Sequence, residues 1–307
     1  MKRREFLRQM MAAAALALGM DGLGLLGRIP RTAAASSGSS LLATGTSGDY
    51  SRLVTDVINA LGGMGRFVKP GSRVVVKPNM SWDRKPEFGA NTHPLVLKRV
   101  VELCLEVGAG EVTVMDHPCN DERRCYTESG IQQAVAAVGS GRAKVKHLND
   151  RRFVEQELPR GVALKRWDFY RDALEAETLI IVPPAKQHGS ARLSLGMKNV
   201  MGLVGGRRER LHVGDLHQHI ADLNTVLRAH LTVIDATRLL FANGPSGGDL
   251  RDVRVLNRVA ASADPVAADS YAASLFGLKG DDIGYIHDGY EMGFGEIDLA
   301  KVKVVQV

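Results

Sequence analysis

Cysteine is scarce in this chain, which has three cysteines among 307 residues. Cys104, Cys119 and Cys125 include no C-x2-C pair. A ferredoxin-type [4Fe–4S] cluster takes four thiolates from closely spaced cysteines. The chain therefore excludes an intrinsic cluster of this type unless another residue or another chain supplies a ligand. Cys104 falls in an apolar helical pattern and is predicted to be a core residue. The sequence does not identify a cofactor, and a bound metal ion is compatible with it.

Two enzyme signatures and a long apolar run are also missing. The chain has no Walker phosphate loop and no H-E-x-x-H zinc motif, so neither nucleotide hydrolysis nor zinc proteolysis is indicated. Near the N-terminus, only residues 9–20 separate Arg8 from Asp21, whereas a membrane-spanning helix needs about 20 apolar residues. An uncleaved N-terminal anchor would have to carry Asp21 and is the less favoured alternative.

The N-terminus has the features of an export signal. The run R-R-E-F-L occupies positions 3–7, and an alanine-rich apolar segment follows it. This order resembles the twin-arginine (Tat) signal, and the A-x-A spacing of Ala33 and Ala35 predicts cleavage near Ala35. Residues 1–35 are therefore predicted to be a Tat signal peptide. The predicted location is periplasmic or otherwise extracytoplasmic, with the Tat export machinery as a partner.

Removal of the signal changes the charge balance. Residues 1–35 hold six basic and two acidic side chains, a net charge of +4, while the whole chain carries +6. The mature part is therefore left with only +2. Nucleic-acid binding would need a basic face on the folded domain, so we predict no nucleic-acid partner.

The rest of the chain predicts a linker followed by one domain. Residues 36–49 are rich in Ser, Gly, Thr and Ala and are predicted to be a flexible linker. Residues 50–307 alternate strand-like and helical patterns, which predicts a single α/β domain with a mainly parallel sheet and helices on both faces. Residues 149–171 are polar and are interpreted as an insertion or a hairpin. The predicted strands are 73–77, 111–115, 143–147, 178–182, 231–234, 255–260 and 302–307. The predicted helices are 51–61, 94–107, 131–138, 194–204, 216–228, 265–276 and 281–291.

Polar side chains follow nearly every predicted strand. In an open parallel sheet, ligands bind beyond the carboxyl ends of the strands. A single Asn, Asp or Pro at such a position is an ordinary turn residue, but lysine and histidine have no turn role. Several cations at one edge of the sheet suit a carboxylate or phosphate ligand, so the sequence predicts a site for a small anion. The predicted strand-end residues are Lys77, Asn79, Asp116, Lys186, His188, Asp235, Asn243 and Gly244.

A packed helix is predicted over residues 194–204, because apolar side chains at 197, 200, 201 and 204 share one helical face. Lys198 and Asn199 within this helix are further ligand-binding candidates. Two glycines end it. The three arginines that follow, at positions 207–210, are interpreted as a solvated basic cap on the negative end of the helix. His212, just beyond them, is predicted to reach the site.

The loop after the second predicted strand carries possible metal ligands. His117, Cys119 and Cys125 have the side chains that zinc prefers. The two cysteines fit equally well as a disulfide in an oxidising compartment or as free thiols.

Seven short blocks, in order, resemble the family known as domain of unknown function 362. They are VVVKPNM (74–80), DHP (116–118), LIIVPPAKQHG (179–189), GMKNVMGLV (196–204), HLTVIDA (230–236), NGPSGG (243–248) and ASADPVAADSYAA (261–273). The resemblance covers residues 50–295. It implies an α/β fold, and in that family ferredoxin-like segments and Tat signals are frequent. This context favours a redox-associated role and a redox or iron–sulfur partner protein.

These observations predict an exported α/β protein that binds an anionic ligand, or a metal or redox cofactor, at the strand ends. In this interpretation the lysines neutralise charge and the asparagines orient the ligand. Lys186, His188 and His212 are the candidate catalytic residues, the histidines for proton transfer or metal ligation. Two alternatives remain open, a non-catalytic cofactor-binding or assembly protein and a hydrolase or transferase that acts on a carboxylated or phosphorylated substrate. The sequence leaves open whether the protein is an enzyme.

Overall fold

A computed structural model describes residues 40–307. The predicted signal peptide and the first part of the predicted linker lie outside the described residues. The strands are β1 (Leu41–Thr46), β2 (Arg73–Pro78), β3 (Glu111–Val114), β4 (Ala143–Val145), β5 (Phe153–Glu157), β6 (Arg166–Tyr170), β7 (Thr178–Val182), β8 (Pro184–His188), β9 (Arg192–Ser194), β10 (Leu231–Leu240), β11 (Val253–Ser262) and β12 (Lys303–Gln306).

The α-helices are α1 (Tyr50–Ala60), α2 (Pro94–Glu106), α3 (Glu122–Glu128), α4 (Ile131–Ala136), α5 (Arg171–Glu175), α6 (Gly196–Asn199), α7 (Leu216–Leu223), α8 (Pro265–Ser274) and α9 (Gly284–Glu291). Short 3-10 turns join several of them, including Val200–Leu203 and Arg208–His212. Among the described residues, no helix has the length and apolar character needed to cross a membrane.

The main sheet is mixed but mostly parallel, with the strand order β12-β1-β11-β10-β7-β2-β3-β4. Along this order, only the pairs of β11 with β1 and with β10 are antiparallel. Strand β8 continues beyond β7 beside β10, and β9 pairs with β8. The predicted fold class, an α/β domain with a mainly parallel sheet, is confirmed.

Helices cover both faces of this sheet because the buried strands alternate their side chains. Val74 and Val76 of β2 pack into a core formed with α1, α2 and α4. Val75, between them, packs into a second core formed with α6, α7, α8 and α9. A strand directs successive side chains to opposite faces, so the unbroken valine run reflects burial on both sides.

Several boundaries differ from the sequence prediction. Residues 41–46 of the predicted linker form β1, which is buried between β11 and β12 in the sheet. Small residues there are explained by packing rather than flexibility, since a Cβ on Gly45 would lie 2.8 Å from Val307. The predicted helix 194–204 begins with β9, has one α-helical turn in α6 and ends in a 3-10 turn. The hairpin interpretation of 149–171 is confirmed by the antiparallel pair β5–β6.

Candidate functional site

A cavity of about 570 Å³ lies at the carboxyl ends of β2 and β3 and along β8. Parallel strands end at the same edge of the sheet, so their last residues meet there. Ten of the residues predicted from sequence line the cavity. They are Lys77, Asn79, Asp116, His117, Cys119, Lys186, His188, Lys198, Asn199 and His212.

Lys77 and Asp116 form a buried ion pair at the floor of the cavity. The two side chains are 1% and 0% exposed, and Lys77 Nζ lies 2.8 Å from Asp116 Oδ1. The second carboxylate oxygen accepts hydrogen bonds from the backbone N–H of Met80 at 2.8 Å and from Ser81 Oγ at 2.9 Å. Burial lowers the pKa of Lys77, while Asp116 opposes this shift. Asp116 therefore holds the two strand ends together, and its oxygens are already occupied by protein donors.

Two asparagines connect this ion pair to a second lysine. Asn199 Oδ1 accepts a hydrogen bond from Lys77 Nζ and lies 3.4 Å from Asn79 Nδ2. Asn79 Oδ1 in turn accepts from Lys186 Nζ at 3.1 Å. The side chains thus form a continuous network from Asp116 through Lys77, Asn199 and Asn79 to Lys186. The two asparagines therefore orient the lysine amines, and their role in orienting a ligand stays a prediction.

Lys186 and Lys198 are buried cations without a carboxylate partner among the described residues. Lys186 Nζ donates to two neutral oxygens, Asn79 Oδ1 and the Ala90 carbonyl at 2.5 Å, and lies 5.7 Å from the centre of the Trp82 ring. Lys198 Nζ contacts the Met201 sulfur at 3.6 Å. Burial is the main cause that lowers the pKa of Lys186 to about 7 and that of Lys198 to about 8. Among the described residues, no ion-paired carboxylate offsets the desolvation of either amine.

His188 is held as a neutral hydrogen-bond donor. Its Nδ1 accepts hydrogen bonds from the backbone N–H groups of Ser190 and Ala191, both at 3.2 Å, so the proton of the neutral ring is on Nε2. Burial, with Lys198 and Lys186 nearby, lowers the pKa of His188 to about 3. The ring of His212 stacks on it, with centroids 6.2 Å apart. The structure therefore brings these two predicted histidines together at the cavity.

Arg208 is a cavity residue that the sequence interpretation missed. Its guanidinium group donates to the carbonyl oxygens of His117 and Pro118, each at 3.0 Å, and lines the cavity. The interpretation of all three arginines as a solvated helix cap is wrong for Arg208. Arg208 reaches the cavity because the 3-10 turn Arg208–His212, which follows Gly205 and Gly206, lies against the loop after β3. Hydrophobic periodicity does not predict the direction of such a turn.

The predicted metal ligands do not form a metal site in this structure. Within residues 40–307, no group of three or more His, Cys, Asp or Glu side chains is arranged to hold a metal ion. His117 and Cys119 line the cavity, but Cys125 is buried in α3 and does not. Both cysteines are free, so the disulfide alternative is also not formed. Cys104 is buried in the core as predicted.

Three of the predicted strand-end residues have structural roles instead. Asp235 accepts hydrogen bonds from the backbone N–H of His93 and from Thr237, where β10 changes its partner from β7 to β8. Asn243 donates to the Asp252 carboxylate. The backbone N–H of Gly244 donates to Gln187 Oε1 at 2.7 Å. None of these three residues lines the cavity, although Pro245 does.

Residues 244–248 read G-P-S-G-G and therefore match the letters of a nucleophile elbow. An elbow needs a strand, a sharp turn and then a helix that presents the serine. Here the segment lies between β10 and a 3-10 turn at Leu250–Asp252 that leads into β11. Ser246 does not line the cavity, so the match gives no support for a serine hydrolase.

Asp269 fixes the position of α6 and thereby of Lys198. This fully buried carboxylate on α8 accepts hydrogen bonds from the backbone N–H groups of Gly196 at 2.7 Å and Met197 at 2.8 Å. Burial raises the pKa of Asp269 to about 7, although the two hydrogen bonds oppose the shift. The carboxylate acts behind the cavity wall and is a positioning residue.

Gly202 gives the ion pair its space, which leads to a test. A Cβ at this position would overlap Asp116 Oδ1 and lie 2.6 Å from Lys77 Nζ. We expect Gly202→Ala to lower the free energy of unfolding by about 1–3 kcal/mol, as overpacked interior sites do. Urea denaturation measures this change. Gly141→Ala is the matched control, because a Cβ there meets nothing within 4 Å. Equal stability of the two variants would contradict the close packing at Gly202.

Comparisons with known proteins give one relative in sequence and two distant solved structures. A thylakoid-associated protein of Synechocystis sp. is 28% identical over 230 residues, which cover 72% of this chain and 68% of that protein. Two solved structures are more distant. The lactate racemase apoprotein of Thermoanaerobacterium thermosaccharolyticum has 12% identity and a TM-score of 0.47, and the match covers 77% of this chain and 56% of that one. A Thermotoga maritima protein has 11% identity and a TM-score of 0.39, with 74% and 59% coverage.

This chain thus spans little more than half the length of either solved protein. The family match is more direct. Residues 74–274 match the family described as Domain of unknown function (DUF362), and this range includes every cavity-lining residue named above. The matched part is more than half of the 307 residues. The chain therefore belongs to the DUF362 family.

Proposed function

We propose that the strand-end cavity binds a small anion that carries a carboxylate or phosphate group. The observation that carries this proposal is the pair of buried amines, Lys186 and Lys198, which line one cavity without a carboxylate partner among the described residues. An unpaired buried charge is costly. An anion bound between the two amines supplies the missing counter-charge.

The remaining charges of the cavity agree with this assignment. Arg208 adds a third cation, while Lys77 is already neutralised by Asp116. Glu209, at the exposed end, is the other carboxylate among the lining residues. The inner part of the cavity is therefore positive. Because His188 is neutral with its proton on Nε2, it offers a further donor to an anion oxygen or a carbonyl.

The size of the cavity limits the ligand to a small molecule. Pockets for small ligands range from about 300 to 1,000 Å³, and about 570 Å³ is available here. Trp82 and Leu195 also line the cavity, so the ligand has room for an apolar or planar part beside its charged group.

A binding experiment tests the proposal. We expect oxalate and sulfate to bind the full chain in isothermal titration calorimetry. Loss of either charge, in Lys186→Met or Lys198→Met, should weaken binding at least about tenfold, since a charge-assisted hydrogen bond contributes roughly 1.5–3 kcal/mol. Lys301→Met is the control, because that lysine is exposed and pairs with Asp298. Binding that is unchanged in both cavity variants would contradict the proposal.

Other parts of the sequence prediction stay proposals without a geometric argument. A thylakoid-associated relative supports a location at a membrane or beyond it, in line with the predicted Tat export. The redox-associated role with a redox or iron–sulfur partner, the assembly role and the hydrolase or transferase role remain predictions from the sequence.

A further inference from the structure

The hydrogen bonds of Lys186 leave one position of its amine nitrogen open. Two neutral oxygens, Asn79 Oδ1 and the Ala90 carbonyl, accept hydrogen bonds from Nζ at 3.1 and 2.5 Å. A neutral amine has two hydrogens and one lone pair, whereas an ammonium group has three hydrogens. Both hydrogens of the neutral amine are therefore accepted by the protein. The nitrogen keeps its lone pair on a side chain that lines the cavity.

The neighbours of Lys186 suit a ligand with a carbonyl beside its acid group. His188 lies two residues further along β8, so its side chain is on the same side of the strand. Its Nε2–H can donate to a carbonyl oxygen, because Nδ1 is already an acceptor for Ser190 and Ala191. Lys198 and Arg208 line the same cavity and remain available for a carboxylate. One cavity is thus lined by an amine, a hydrogen-bond donor and two cations, namely Lys186, His188, Lys198 and Arg208.

We propose that Lys186 forms an imine with the carbonyl carbon of a 2-oxo acid, whose carboxylate is held by Lys198 and Arg208. This inference rests on the proposed anion-binding function and adds to it a substrate class and a covalent step. A desolvated lysine is the usual nucleophile for carbonyl substrates. Burial also leaves a large part of the Lys186 amine unprotonated at neutral pH, because its pKa is lowered to about 7.

The step balances without an oxidant or a reductant. The Lys186 lone pair forms the C–N bond, and the C=O electron pair moves to oxygen, which His188 Nε2–H stabilises by a hydrogen bond. The two amine hydrogens leave with the carbonyl oxygen as one water molecule. The product is a C=N bond, and its protonation returns a positive charge to the position of the lysine. That cation lies beside the bound carboxylate and is stabilised by it.

Borohydride trapping tests the inference on the full chain. The protein is incubated with pyruvate, glyoxylate or 2-oxoglutarate and then treated with sodium borohydride, which reduces a C=N bond to a stable amine. For at least one acid, we expect intact-mass spectrometry to show a single adduct with the mass of the acid less one oxygen atom. Peptide mapping should place it on Lys186. An adduct on Lys198 or on surface lysines only would overturn the assignment.

Oxalate binding to the unmodified protein separates anion binding from the covalent step, because oxalate has no ketone or aldehyde carbonyl. Lys186→Arg keeps the cation but lacks a nucleophilic amine, so the trapped adduct should be lost in this variant. Oxalate binding without any trapped adduct in the unmodified protein would overturn the imine and leave the proposed function standing. Absence of oxalate and sulfate binding would overturn the proposed function itself. Peptide mapping of the unmodified protein does not depend on the folding of any variant.

Discussion

Replacing Asp116 with alanine is expected to lower the free energy of unfolding by about 3–5 kcal/mol. The carboxylate is fully buried and pairs with Lys77, which is itself only 1% exposed. Its removal leaves a buried ammonium group without a counter-charge. It also removes the acceptor for the Met80 N–H and for Ser81 Oγ. Buried ion pairs contribute little compared with apolar residues of the same shape, but breaking one by removing a single partner is costly.

Chemical denaturation with a double-mutant cycle checks this expectation. The double variant Asp116→Ala with Lys77→Met removes both charges and should be more stable than Asp116→Ala alone, because no unpaired ammonium remains. Asp56→Ala is the control, since that carboxylate forms an exposed pair with Arg52 and should change stability by less than about 1 kcal/mol. If the double variant is no more stable than Asp116→Ala, the buried charge is not the cause of the loss.

Sulfate affinity is expected to fall by about a hundredfold or more between about pH 6 and about pH 9. The charge of sulfate does not change over this pH range, so a change in affinity reports the titration of groups on the protein. The anion binds the protonated lysines. With the pKa of Lys186 lowered to about 7 and that of Lys198 to about 8, both amines lose their protons as the pH rises. Each pH unit above the pKa of a group costs about a factor of ten for binding coupled to it.

Affinity decreases as the pH rises because sulfate binds the protonated form of the two lysines. Below the two lowered pKa values the cavity is cationic and affinity is highest, and above them affinity decreases with pH. Calorimetric titrations at several pH values give the profile. Lys186→Arg should retain affinity to higher pH, because arginine keeps its charge. The two lysines have other charged or ionisable neighbours, namely Asp116, Lys77, Cys119 and Arg208. The titrations are repeated in a Cys119→Ser background, which removes the thiol that lines the cavity. Constant affinity across the range would contradict binding through these amines.

The strand-end reasoning predicted much of the cavity from sequence. Lys77, Asp116, Lys186 and His188 follow or end apolar runs, and parallel strands bring such positions to one edge. Lysine stood out because it has no role in turns. For Asp235 the same reasoning failed. The strand-end position was recognised, but β10 continues as a strand past this residue, whose carboxylate is occupied by His93 and Thr237.

The residues that the sequence interpretation misjudged depend on chain direction outside regular elements. Arg208 was assigned to solvent, yet it lines the cavity because the turn after Gly206 lies against the loop after β3. Residues 41–46 were assigned to a linker from their small side chains, yet they pair with β11 and β12. The partners of β1 lie more than 200 residues away in the chain. The local composition of a segment therefore does not predict which distant strand it pairs with.

The sequence by itself determined the fold class, the family and the strand-end lysines and histidines. Hydrophobic periodicity and the chemistry of strand ends are local properties. Such local patterns predict which residues are buried and at which residue a strand or helix ends. Only the tertiary structure decided how the charges are shared. In the structure Asp116 pairs with Lys77, Lys186 and Lys198 have no carboxylate partner among the described residues, and Arg208 lines the cavity. The physical reason is that pairing and desolvation depend on distances between segments far apart in the chain, and these distances set the pKa values on which anion binding depends.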